Sequence, residues 1–121
     1  MLWARTLCLL AVLLLPASAA LSHAAGAPVI DPDLPSLIGD GRARVLVELR
    51  LGDARGDVGQ AIARAQDTVV ARLPQSHATV VRRYASVPML ALEIDATALR
   101  ALDAMTDVVV RVRPDTTTRP Q

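Results

Sequence analysis

The chain has 121 residues, 52% of them hydrophobic, with 13 basic and 12 acidic side chains, one cysteine, one tryptophan, one tyrosine and no phenylalanine. So even a charge balance offers no basic field to draw in nucleic acid, and so few rings leave no stacking platform for single strands. The sequence contains no lysine, which excludes Schiff-base and Walker-type chemistry, and one cysteine cannot build a disulfide framework.

Met1 to Arg5 carries one positive charge, Leu7 to Leu15 is an almost unbroken apolar run, and Pro16 ends it. Ala17-Ser18-Ala19 and Ser22-His23-Ala24 offer small residues for cleavage, so residues 1–24 read as a secretory signal peptide. The apolar run is shorter than the roughly 20 residues of a spanning helix. The expectation is a secreted or periplasmic protein with no membrane segment after signal removal. Its mature form lacks Cys8 and Arg5, and so has no cysteine and no net charge.

Residues 25–41 contain Pro28, Pro32 and Pro35 among Asp and Gly, with Val29, Ile30, Leu34, Leu37 and Ile38 scattered between them. This composition predicts a linker, or else a short docking arm built on those aliphatics. The folded domain is expected over 42–115.

Val45, Val47 and Leu49 alternate with Arg44, Leu46, Glu48 and Arg50, the two-residue period of a strand. Asp57 is placed to cap a helix running to about Leu73, whose Val58, Ile62, Ala65, Val69 and Leu73 form one stripe. Pro74 ends it. Thr79 to Tyr84 predicts an edge strand whose inward side Val80-Val81-Arg82-Arg83 leaves undecided. Leu90, Leu92 and Ile94 alternate with Met89, Ala91 and Glu93 in a third strand, hairpin-linked to the second. Asp95 caps a short helix carrying Leu99, Leu102 and Met105, and Val108, Val110 and Val112 form the inward side of a last strand.

This order predicts an α+β, ferredoxin-like β-α-β-β-α-β sandwich: a four-stranded antiparallel sheet with two helices on one face and the first and third strands at its centre. By alternation the helix-free face displays Leu46, Met89, Ala91 and Val109 with Glu48, Glu93 and Arg111, a mixture that suits an interface.

Little in the mature domain suggests catalysis. Ser76-His77 is the only hydroxyl beside an imidazole, and sequence adjacency does not place a base on a nucleophile. His77 lacks a second histidine, a cysteine or a carboxylate at metal-ligand spacing. Glu48 and Glu93 could form a carboxylate pair, although on an open face they would be solvated or paired with Arg111. We therefore expect no enzyme, no metal, no cofactor and no small-molecule substrate.

Val45-Leu46-Val47-Glu48-Leu49, Ala65-Gln66-Asp67, Arg82-Arg83-Tyr84, Leu90-Ala91-Leu92-Glu93-Ile94-Asp95 and Asp107-Val108-Val109 to Pro114-Asp115, in this order and spacing, resemble subtilisin propeptides. The likeness covers about residues 42–121. It implies a ferredoxin-like inhibitor and folding chaperone of a subtilisin-type serine protease (subtilase), docking its open sheet face on two parallel helices of the enzyme. It further implies that Asp115 caps helix N-termini of the protease, a role suited to a carboxylate. Arg113 stands where the family has a neighbouring carboxylate, reversing the sign. The segment 116–121, Thr116, Thr117, Thr118, Arg119, Pro120 and Gln121, would be the tail in the substrate cleft, with Thr118 at the fourth pocket and Gln121 at the first. A second reading of the same domain is an exported assembly module that pairs through its sheet face or edges. A third is the truncated precursor of a subtilase.

Overall fold

The computed structural model describes residues 26–52 and 56–116. The expected signal segment and Thr117 to Gln121 of the expected tail lie outside the described residues. The fold is α+β: β1 (Val29–Ile30), α1 (Leu34–Ile38), β2 (Ala43–Leu49), α2 (Val58–Arg72), β3 (Ala78–Arg83), β4 (Met89–Ile94), α3 (Ala96–Asp103) and β5 (Val109–Pro114).

Local chemistry sets the helix boundaries much as expected. The Asp57 carboxylate accepts from the Gly59 amide at 2.9 Å and opens α2, while the extended backbone of Leu73 before Pro74 closes it. Ile62, Ala65, Val69 and Leu73 are buried, and Val58 at the exposed first turn is not. Asp95 opens α3 by accepting from the Ala98 amide at 3.0 Å.

The sheet differs from the expected four antiparallel strands. Among the described residues it has five, in the order β1-β5-β2-β4-β3, and is mixed, because β1 pairs in parallel with β5. As expected, β2 and β4 are central and β3 is an edge. The remaining pairings are all antiparallel.

The fifth strand comes from the segment expected to be a linker. Val29 and Ile30 align with Arg111 and Val112, the Asp31 amide donates to the Val112 carbonyl at 2.9 Å, and the Asp31 side chain accepts from the Asp33 amide at 2.9 Å. Pro35 at the start of α1 has its φ preset for a helix and lacks only an amide that would have no partner there. Gly39, at φ +50°, ends the turn in a conformation that side chains disfavour. The result puts Leu34 (0% exposed) and Ile38 (3% exposed) into the core. Residues 29–38 are therefore packed structure.

One apolar cluster joins α1, α2 and α3 to Val45, Val47 and Leu49 of β2, Leu90, Leu92 and Ile94 of β4, and Val109 and Val112 of β5. The three helices among the described residues thus cover the same side of the sheet. Val109 corrects the expected open face: it is fully buried in this cluster. A bulge causes the change. Leu49 faces Val109 while its neighbour Glu48 faces Arg111, so Val110 is the extra residue and the alternation shifts by one.

Asp95 also locks the β3 entrance to α3. Its second carboxylate oxygen lies 2.5 Å from His77 Nδ1, and its amide donates to the His77 carbonyl at 3.2 Å. The Ala98 amide, and after it the His77 ring, hold the Asp95 carboxyl below its ordinary range. A carboxyl depressed on folding contributes stability that is present above its unfolded pKa of about 3.9 and lost as pH falls through the lower folded value. Asp95→Asn is therefore expected to destabilise the domain at neutral pH, with the difference from wild type narrowing below about pH 4 in urea titrations.

Candidate interaction face

The other side of the sheet, free of helices among the described residues, is built from the residues that alternate with the core. Cross-strand register arranges them in three rows. Arg113, Leu46, Ala91 and Arg82 form the middle row across β5, β2, β4 and β3. Arg111, Glu48 and Met89 lie on one side of it, and Arg44, Glu93 and Thr79 on the other.

Leu46 and Met89 are half-buried, as are Glu48 and Glu93, while Arg111 and Arg113 are exposed. Ala91 belongs to this face but is only 3% exposed, so it forms a floor and offers little contact surface of its own. Above it a concavity of about 300 Å³ is lined by Arg44, Val81, Arg82, Tyr84, Ala91 and Asp115. Arg44, Val81, Arg82 and Tyr84 are not among the residues expected at the interface from the sequence. For Arg44 the signal was available, since it shares the parity of Leu46 and Glu48. For the others it was not, because the β3 bulge between Val80 and Arg82 decides their side.

The charges are partly matched across strands. Arg44 stands opposite Glu93, and Arg111 opposite Glu48, with Arg111 Nε 3.8 Å from the Glu48 carboxylate. Glu48 and Glu93 do not pair with each other. Glu48 faces Met89, and Glu93 lies four residues further along β4, about 13 Å away at the strand rise.

Asp115 is fixed at the rim. Pro114 aligns with Val45, and the Asp115 amide continues the pairing by donating to the Arg44 carbonyl at 3.0 Å. The side chain is thereby kept on the concavity, and the chain leaves from the edge of this face. Thr116 is exposed, and Thr117, Thr118, Arg119, Pro120 and Gln121 are beyond the described residues.

Two features brace the face from behind. Gln66, buried on α2, donates to the carbonyls of Tyr84 and Met89 at 2.8 and 2.9 Å, tying the β3–β4 connection to the helix. Arg83 turns to the helix side and pairs with Asp67 at 2.6 Å, whereas Arg82 lies over the Tyr84 ring, 4.9 Å from its centroid.

A second concavity, about 390 Å³, opens on the helix side among Arg50, Arg64, Arg72, Asp57 and Asp107. Arg72 there is bound to the Asp107 carboxylate at 2.8 Å, which raises the pKa of the guanidinium and lowers that of the carboxyl. Ser76 and His77 lie in the turn before β3, where His77 meets Asp95.

No family model, curated protein or solved structure matches this chain.

Proposed function

We propose that the chain is an exported, propeptide-like inhibitor of a subtilisin-type serine protease, which also assists folding of its target. It docks by the helix-free face of its sheet and lays residues 116–121 along the substrate cleft. The supporting observation is the combination of a face left uncovered by the described residues and bearing half-buried Leu46 and Met89 with a chain that reaches its rim at Asp115. The order β5-β2-β4-β3, with helices on one side, agrees with a ferredoxin-like sandwich to which β1 and α1 add a parallel edge. Asp115 would cap helix N-termini of the protease, where a carboxylate satisfies free amides and the positive helix end.

A different observation favours the assembly reading. β3 leaves one edge of the sheet unpaired among the described residues, with Val80 and Val81 exposed, whereas β1 is only two residues long and flanked by Pro28 and Pro32.

Titration separates the two. The mature chain, residues 25–121, is expected to inhibit a subtilisin-type protease stoichiometrically. Ending the chain at Asp115 should weaken inhibition roughly a hundredfold, the scale of one interface hot spot. If no such protease is inhibited, and none raises the melting temperature of the chain, the inhibitor reading fails and edge-to-edge assembly gains.

A further inference from the structure

The middle row of the face carries a pattern of its own: two arginines bracket the apolar pair Leu46 and Ala91. The other arginines of the face have carboxylates opposite them, Arg44 with Glu93 and Arg111 with Glu48. Arg82 and Arg113 make no ion pair among the described residues, and their cross-strand neighbours Ala91 and Leu46 can supply none. Asp115 shares the concavity with Arg82 and Arg44, yet it makes no ion pair with either.

Docking over Leu46 would take both guanidiniums out of water, and burying an arginine without a partner is expensive. A surface that fits must therefore bring acceptors to both positions. Carboxylates suit best, because a guanidinium presents parallel N–H donors to two oxygens. The spacing is set by the sheet: three interstrand steps put the bracketing positions about 14 Å apart. Arg82 is already held over Tyr84, so it loses less side-chain freedom on binding while the edge of its guanidinium remains available.

We infer that the surface received by this face is an apolar ridge flanked by two carboxylates, one for Arg82 and one for Arg113, whose backbone positions stand about 14 Å apart. The inference rests on the inhibitor reading above and assigns the partner's chemistry: an acidic docking surface on the protease. It also gives Arg113 a role opposite in sign to the helix-capping carboxylate that the family resemblance would place there.

The test compares the full mature chain with Arg82→Glu, Arg113→Glu and the double variant, using Arg100→Glu on the exposed side of α3 as an off-face control. Inhibition of a responsive subtilase is measured at low and high salt, and melting temperatures verify folding. Each face reversal should weaken inhibition by about tenfold or more, through faster dissociation once the desolvated pair is broken and through slower, salt-sensitive association. The effects should combine multiplicatively at this separation, and the double variant should show the salt dependence of wild type reversed, because added salt then screens like-charge contacts. Arg100→Glu should change none of these. If wild type inhibits and the folded face variants inhibit equally well, or if wild-type inhibition is indifferent to salt, the bracket is overturned while the inhibitor reading stands. Failure of wild type to inhibit any subtilase overturns both.

Discussion

Leu34→Ala is expected to lower the unfolding free energy by about 2–5 kcal/mol, the cost of removing a fully buried leucine and leaving a cavity. Leu37→Ala, three residues on in the same short helix, should change it by less than about 0.5 kcal/mol because the Leu37 side chain is 56% exposed. The contrast is diagnostic. Leu34 is as fully enclosed as Val45 or Leu92 and belongs to the same cluster, although it lies outside the repeated strand-helix-strand units. A single domain with no disulfide among its described residues has a stability of the order of 5–15 kcal/mol, so this one side chain is a large share of it. Urea denaturation of the two variants measures the difference. Equal, small effects would mean that α1 is only loosely attached.

That helix marks the limit of the sequence reading. Leu34 and Ile38 stand four residues apart, the spacing of one helical turn, and both point into the core. Two residues make too short a period to outweigh three prolines and the intervening Asp and Gly, which locally describe a linker. What holds the segment is the long-range pairing of Val29 and Ile30 with β5 and burial against β2, neither of which is written in its own composition. The central strands were legible for the opposite reason: Val45-Leu46-Val47-Glu48-Leu49 and Leu90-Ala91-Leu92-Glu93-Ile94 repeat their alternation for long enough to fix one side.

Bulges explain the remaining differences. Val108, Val109 and Val110 are chemically identical, so either parity fits a strand, and the bulge opposite Glu48 and Leu49 chooses the one that buries Val109. In β3 the bulge after Val80 sends Arg82 to the open face and leaves Arg83 to reach Asp67 beside α2. The candidate face was therefore legible in its centre, at Leu46, Glu48, Met89 and Glu93, and less so toward its edges. Capping by Asp57 and Asp95 could be anticipated because a carboxylate before an apolar periodic run has a local partner in the first free amides. The contact of Asp95 with His77 could not, since it joins residues 18 apart through the folded hairpin.

The second large effect concerns the apolar part of the proposed docking face, on its central strands. Met89 lies on the helix-free side, half-buried, with Glu48 across the strand pair and Leu90 turned into the core beside it. Its backbone carbonyl is held by Gln66, so the side chain projects from a fixed point. A methionine there can fill an irregular apolar contact, whereas the longer arginine would draw its charge toward Glu48 and leave a polar, bulkier group where the partner's apolar ridge has to pack. Such a change within a buried interface costs about 2–4 kcal/mol, or roughly 30- to 1000-fold in affinity. In the free chain the same position faces solvent, so the folded state should tolerate the charge.

The most direct measurement is thus the inhibition constant of Met89→Arg against a protease that wild type inhibits, taken with the melting temperature of each free chain. Docking through the open sheet predicts affinity weakened by at least about 30-fold at nearly unchanged thermal stability. Wild-type inhibition by a folded Met89→Arg chain would contradict it, because the enzyme would then be engaging some other surface.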